Sequence, residues 1–390
     1  MITVEEALSQ LFTLVGPLPA ETVPLASAGG RVLAEAAVAA RAQPPFAASA
    51  MDGYAVTSAD ARPGARLAVV GTAAAGHRHD PRLRPGTAVR IFTGAPVPEG
   101  ADRIVIQEDA TRTGDMVTLD EVPGTGAHIR PAGADFARGA RLPAPRVLTP
   151  ADVALLAAMN LPRVAVTRKP EVALISTGDE LVMPGDDPGD DQIIASNTFG
   201  LKALLEAHGA EARILPIAAD DPAALRTAFG LAEGADLVVT IGGASVGDHD
   251  LVGPVAAELG MDRAFYKVAM RPGKPLMAGR MGGAAMIGLP GNPVSAIVCG
   301  HVFLVPVLRK MLGLGAAPAP RHTARLAVDV GANGPREHYM RATLDGDAIR
   351  PADRQDSALL TVLAGANALM IRPPHDPPRT AGDTVAYLAV

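Results

Sequence analysis

Beyond residue 169 the sequence alternates between short apolar runs and amphipathic stretches with little irregular chain between them, and that alternation leaves few folds open. EVALIST reads as a buried strand, and SNTFGLKALLEAHG as a helix closed by Gly209. EARILPIA is a second strand, and DPAALRTAFGLAEG a helix with Pro222 near its start. DLVVTIGG, a helix around 250–259, and AAMIGLPGNP leading into a long helix complete the series. Strands joined by helical crossovers predict an α/β domain with a largely parallel sheet over residues 169–315.

The rest of the 390 residues has a different texture, and a chain of this length divides into about two to four domains. Residues 46–145 are crowded with Gly and Pro around short runs such as RLAVV, AVRIF and RIVIQ, which predicts an inserted β-rich domain. Residues 1–45 and 146–168 form a mixed, helical N-terminal domain around it. Thr3 with Glu6, and Thr149 with Pro150 and Asp152, are the capping patterns that start its helices. Residues 316–390 return to short alternating segments and predict a small C-terminal β domain. The fold class is therefore multidomain: a central parallel-sheet α/β domain, an inserted β-rich domain and a terminal β domain.

Composition excludes several function classes. A formal charge of −6 and the absence of tryptophan argue against nucleic-acid partners, which select a basic face. The N-terminal MITVEEALSQLF carries acid where a leader would carry positive charge, and the apolar PVSAIVCGHVFLVPVLRKML is broken by His301 and Pro306. A cytoplasmic protein that makes no membrane contact is expected. The single Cys299, inside that apolar segment, is expected to be a buried, inert thiol. No GxxxxGK[ST] is present and no GxGxxG opens the α/β domain, so neither a P-loop NTPase nor a dinucleotide-binding fold is indicated. Ser245 and His249 lack the surroundings of a nucleophile elbow.

Ligands of open parallel sheets sit beyond the carboxyl ends of the strands. Three such loops here combine glycine with polar side chains: STGDEL (Thr177, Gly178, Asp179, Glu180), GGASVGDHD (Gly242, Gly243, Ser245, Asp248, Asp250) and GLPGNPVS (Pro290, Gly291, Asn292, Pro293). Backbone N–H groups freed by glycine, next to a helix N-terminus, suit an anion. Each loop taken singly also fits a tight strand-to-helix turn. The carboxylates of Asp179, Glu180, Asp248 and Asp250 beside a phosphate call for a divalent cation between them, and Mg²⁺ takes one or two carboxylates plus phosphate oxygens. Capping is the competing role for each, most strongly for Asp220 beside DPAALR.

The chain has only five lysines against thirty arginines, yet YKVAMRPGKP places Lys267, Arg271 and Lys274 within eight residues, the last two around a Pro-Gly. A stiff turn that presents such charges suits a small tetrahedral oxyanion. In the N-terminal half, PPFAASAMDGYAV places Ser49 and Asp52 in a Pro-bounded loop, and RIFTGAPVPEGAD places Thr93 after a short strand. Either alone would be a turn.

Together with IRPAGAD and SNTFGL, these strings occur in an order that resembles the molybdopterin molybdenumtransferase family, the MoeA-like proteins that include the E domain of gephyrin. The resemblance covers essentially the whole chain. It implies the last step of molybdenum cofactor synthesis, in which adenylylated molybdopterin and molybdate yield molybdenum-molybdopterin and AMP with Mg²⁺. It also implies a homodimer whose cleft lies between the α/β domain of one subunit and the inserted domain of the other, and the adenylylating enzyme of the pathway as a further partner. Matched by motif, Asp52, Thr93, Glu180, Asp220, Asp250, Lys267, Arg271 and Lys274 are the catalytic positions, with Glu180 and Asp250 as metal ligands. Arg130 and Asp135, the LPGNP loop, and Arg341 with Ser357 in the terminal domain are implied in binding. Arg271 stands where the family commonly has lysine, and Ala47 and Ala48 where it commonly has an Asp-Asn pair. A carrier that binds the cofactor without inserting metal, or a gephyrin-like scaffold, is the alternative.

Overall fold

A computed structural model describes residues 1–122, 124, 126–243 and 251–390 of the chain. They gather into two compact units, one of Met1–Glu21, Gly30–Ala34 and Val166–Val390, the other of Thr22–Gly29 and Glu35–Ala165. Residues 1–45, one stretch in the sequence reading, thus divide between the two.

The first unit is built on a six-stranded sheet in the order Glu211–Ile214, Glu171–Ser176, Leu237–Ile241, Ala284–Leu289, Met277–Met281, Asp262–Tyr266. The first four strands are parallel, and the last two form antiparallel pairs at one edge. Alternation along a strand explains why the central ones read as continuous apolar runs: Val172 and Leu174 enter one core, Ala173 and Ile175 the core on the opposite face. Helices Val4–Leu14 and Asn197–Ala207 cover the first face and Pro222–Leu231 and Val252–Glu258 the second. Each leucine fully buried this way contributes about 1.5–3 kcal/mol.

The capping residues act as the sequence indicates: Thr3 with Glu6, and Thr149 with Asp152 in the second unit, make reciprocal capping boxes. Gly209 ends its helix at φ 90°. The apolar segment from Pro293 to Met311 is long enough to cross a membrane by composition but lies largely buried in the core. It is also not one regular helix. Pro306 has no N–H to donate, and the preceding turn, Gly300–Leu304, widens to a π-turn closed by a hydrogen bond from Val305 N–H to the Gly300 carbonyl. Cys299, fully buried on this segment, has its thiol pKa pushed up by desolvation.

Residues 322–389 close into a small barrel. Strand Glu337–Asp345 pairs with both Ala348–Pro351 and Ala368–Arg372, and His322–Leu326 and Thr384–Ala389 complete the ring. Ala342, Ile349, Met370 and Val385 fill it. The short strand Met270–Arg271 adds to this barrel in parallel, Met270 opposite Glu337 and Arg271 opposite His338.

The second unit carries a mixed six-stranded sheet, ordered Arg103–Ile106, Gly53–Val56, Thr87–Ile91, Arg66–Ala73, Met116–Leu119, Ala110–Thr113. Tyr54 and Val56 lie in one small core and Ala55 in another, so this sheet is also covered on both faces.

Candidate active site

In the α/β sheet, strand Glu171–Ser176 lies between Glu211–Ile214, which follows it in sequence, and Leu237–Ile241. The chain direction across the sheet therefore reverses between Glu171–Ser176 and Leu237–Ile241, and a crevice opens beyond their carboxyl ends. A cavity of about 770 Å³ occupies that place. Thr177, Gly178, Glu180, Asp220, Gly242, Gly243, Pro290, Gly291, Asn292 and Pro293 line it, which brings together four segments separate in sequence. Ser245, Asp248 and Asp250 lie outside the described residues.

The first loop is shaped by Gly178 at φ 141°: a Cβ there would stand 2.3 Å from a carboxylate oxygen of Glu180, so the acid folds over the glycine. Glu180 has no salt bridge among the described residues. Asp179 does not line the cavity. Its Oδ1 accepts the backbone N–H of Asp220 at 3.0 Å and ties the first loop to the next. The capping role offered to Asp220 belongs to its neighbour: Asp221 Oδ1 accepts the N–H groups of Ala223 and Ala224 at 2.8 and 3.0 Å, and Asp220 stays on the cavity wall. Thr177 presents a buried hydroxyl with no hydrogen-bond partner among the described residues.

Glu180 and Asp220 are both hard oxygen donors, and together with substrate phosphate oxygens such a pair fits Mg²⁺. No group of three or more ligating side chains occurs among the described residues, which do not include Asp250.

Sequence reasoning missed Asn197. Its side-chain amide donates to the Gly291 carbonyl at 2.7 Å, joining SNTFGL to the LPGNP loop, and with Ser196, Ile193 and Ile194 it lines the cavity. No local pattern reveals a contact between residues 94 positions apart.

At the other end Asn292 donates to Ser357 Oγ at 3.0 Å and Val294 N–H to the Ser357 carbonyl at 3.0 Å, so the terminal barrel contributes to the wall through Ala358. Behind this segment lies Arg341, fully buried. Its Nη2 donates to the Asp356 carbonyl at 2.8 Å, while Nε and Nη1 have no partner among the described residues. Burial lowers its pKa. A buried guanidinium with unpaired N–H groups is costly to fold around, and an anion is a partner that suits its chemistry.

The basic segment flanks the same end. Lys274 and Arg271 are exposed, Pro272 and Gly273 between them are buried, and Pro275 lines the cavity. Lys267 holds φ 70°, unusual for a residue with a side chain, and its ammonium lies 4.9 Å from the centre of the Tyr266 ring. Ile2 fixes this segment from the N-terminus, accepting from Ala269 N–H at 2.7 Å and donating to the Lys267 carbonyl at 3.2 Å.

In the second unit Asp52 and Thr93, 41 residues apart, meet. Asp52 Oδ1 accepts both the backbone N–H and the hydroxyl of Thr93 at 2.7 Å. Those bonds, the backbone one first, hold the Asp52 carboxyl below its usual range. Ser49 does not face a ligand: it is fully buried, and its hydroxyl donates to the Met51 carbonyl at 2.6 Å, shaping the turn before Asp52. Arg130 and Asp135 line a separate cavity of about 530 Å³ with Gln43, Pro45 and Ala48.

Comparison with known proteins agrees along the whole chain. Residues 2–160 match the model of the MoeA N-terminal region (domain I and II), 173–310 that of a probable molybdopterin binding domain, and 323–390 that of the MoeA C-terminal region (domain IV). A molybdopterin molybdenumtransferase of Nostoc sp. is 37% identical over 393 residues, covering 96% of this chain and 90% of the relative. Molybdopterin molybdenumtransferase 2 of Mycobacterium tuberculosis is 38% identical over 364 residues, 90% of each chain. The crystal structure of a molybdopterin biosynthesis moeA protein from Pyrococcus horikoshii superposes with a TM-score of 0.86 at 30% identity, covering 100% of this chain and 99% of that one.

Proposed function

The chain belongs to the molybdopterin molybdenumtransferase family, and we propose that it transfers molybdenum from molybdate to adenylylated molybdopterin with release of AMP. The observation that carries the reading is one cavity with a carboxylate wall, whose LPGNP loop is bonded to the segment in front of a buried arginine. Glu180 and Asp220 stand on its wall, Asn292 on the same wall donates to Ser357, next to the Asp356 carbonyl that accepts from Arg341 Nη2, and Pro275, which follows Lys274, also lines the cavity. Arg341 Nε and Nη1 have no partner among the described residues.

In this reading the acidic wall receives the phosphate link to AMP. Mg²⁺ bound there would offset the charge of the phosphate oxygens and leave the link open to cleavage. Thr177 offers the substrate a hydroxyl that has no partner among the described residues, and the Gly242–Gly243 backbone lets the ligand approach closely. Arg341, Arg271 and Lys274 concentrate molybdate beside the sulfur atoms that accept it and stabilise charge as AMP departs. Asn197 and Asn292 hold the LPGNP loop and the Ser357 segment in register between the two ends. A homodimer, as the resemblance implies, is the assembly we assign, with sedimentation of the purified protein as its test.

Purified protein incubated with adenylylated molybdopterin, molybdate and Mg²⁺ should release AMP. Glu180→Gln should abolish that release while its circular dichroism and melting temperature stay those of the wild type, because no salt bridge among the described residues depends on Glu180. Tight substrate binding by the wild type without AMP release would favour the carrier; wild-type rates in Glu180→Gln would remove Glu180 from the chemistry.

A further inference from the structure

Arg271, His338 and Arg372 stand in one row across three strands, His338 registered with Arg271 on one side and with Arg372 on the other. Residues directly opposite one another project from the same face of a sheet. Arg372 is compensated within the row: Asp376, buried with it, accepts from Arg372 Nε and also pairs with Arg379 at 2.7 Å. Glu337, next to His338 on the strand, is committed to Arg321 at 2.7 Å and to the Tyr339 hydroxyl at 2.9 Å. Arg336 leans toward the Met270 carbonyl at 3.5 Å. Arg271 has no carboxylate partner among the described residues, and Arg341, three positions along the strand from His338, has none for Nε and Nη1. His338 itself is buried, and its Nε2 meets no hydrogen-bond partner among the described residues. The imidazole therefore shares its row with Arg271 and Arg372 and lies within electrostatic reach of Arg341 and Arg336, and the carboxylates nearby are already shared.

We propose that His338 takes up a proton when an oxyanion dianion binds beside Arg271 and Arg341, so that anion uptake at this end of the cavity is proton-linked. The inference deepens the functional reading above and rests on it, the dianion being molybdate. Before the anion arrives, burial and then Arg271, Arg341, Arg372 and Arg336 hold the imidazole pKa at about 4, and the ring is neutral near pH 7. A dianion offsets the two uncompensated guanidiniums and brings a negative partner to the ring, which restores its pKa toward the ordinary value of about 6.5. Binding then consumes a proton, and affinity rises as pH falls. A full return to the ordinary value of about 6.5 is the upper limit, at which molybdate binds about fourfold more tightly near pH 6 than near pH 8.

Calorimetric titration of molybdate into the full chain, repeated in buffers of different ionisation enthalpy, reads the proton directly. Near pH 6.5 the wild type should take up about half a proton per molybdate bound, and His338→Gln or His338→Asn should bind with no uptake and an affinity flat between about pH 6 and 8. Wild-type uptake below about a tenth of a proton overturns the proposal without recourse to any variant. Uptake undiminished in both variants overturns it as well. Failure of the wild type to bind molybdate at all would instead sink the functional reading, and this inference with it.

Discussion

Gly273 tests whether the basic turn is held rigid by the core beneath it. The residue sits at φ 108° between Arg271 and Lys274, and a Cβ there would stand 2.5 Å from Cys299 Sγ and 3.2 Å from Met270 Sδ and Cε. Both neighbours are fully buried and cannot withdraw without opening the core. Gly273→Ala should therefore cost about 1–3 kcal/mol in backbone strain and about 1–3 kcal/mol in overpacking, a destabilisation of about 2–6 kcal/mol. The relief open to the chain is outward movement of the turn, which carries Arg271 and Lys274 with it. Molybdate affinity should then fall at least about tenfold, since about 1.4 kcal/mol of lost interaction suffices. Cys299→Ala removes the nearer clash, so the double variant should recover about 1–3 kcal/mol relative to the sum of the single ones. Chemical denaturation followed through the transition of the larger unit gives the stabilities, and calorimetry the affinities. A Gly273→Ala protein with wild-type stability and molybdate affinity, or strict additivity with Cys299→Ala, would refute the reasoning.

Arg341→Met should leave the protein as stable as the wild type or raise its melting temperature, because a buried guanidinium with two orphaned nitrogens gives way to an apolar chain of similar length, while molybdate binding is lost. A fall in melting temperature with binding retained would mark Arg341 as a packing residue. His301 and His338 are both held near pKa 4, chiefly by burial, against about 6.5 in the unfolded chain. A depressed histidine contributes stability that is fully present above about pH 6.5 and is lost as pH falls through about 4, so near pH 5 the protein should have lost about 1–2 kcal/mol for each. Denaturation midpoints that do not move between about pH 7 and 4.5 would contradict this.

Much of the α/β unit was legible because its signals are local. Buried parallel strands read as unbroken apolar runs, and Thr3, Thr149 and Gly209 mark helix ends by chemistry that acts within three residues. The loops beyond the strands could be placed on one edge of the sheet from topology alone, and the cavity is there. What escaped depends on register or distance. Asp220 and Asp221 are chemically identical neighbours, and only the phase of the following helix decides that Asp221 caps it and Asp220 faces the cavity. Ser49 stands in the same Pro-bounded loop as Asp52, and sequence alone does not reveal that its hydroxyl donates to the Met51 carbonyl two residues on. Asp52 and Thr93 were each unremarkable turns until the fold brought them to 2.7 Å. His338 carried no signal at all, since a histidine in a short strand becomes informative only when its burial and the arginines in its row are known.

The parallel pairing of Met270–Arg271 with Glu337–Asp345 makes the terminal barrel something other than an appendage. The turn that bears Arg271 leaves the sheet to which its flanking strands belong and finishes its backbone hydrogen bonding on a neighbour more than sixty residues downstream, as in the bond from Glu337 N–H to the Ala269 carbonyl at 3.0 Å. Loss of the barrel would uncover the part of the larger core that Tyr339, Leu369, Ile371 and Leu388 complete, and would unmoor the turn that bears Arg271. Fold integrity and the placement of Arg271 are therefore tied to the same module, and neither can be traded away without the other.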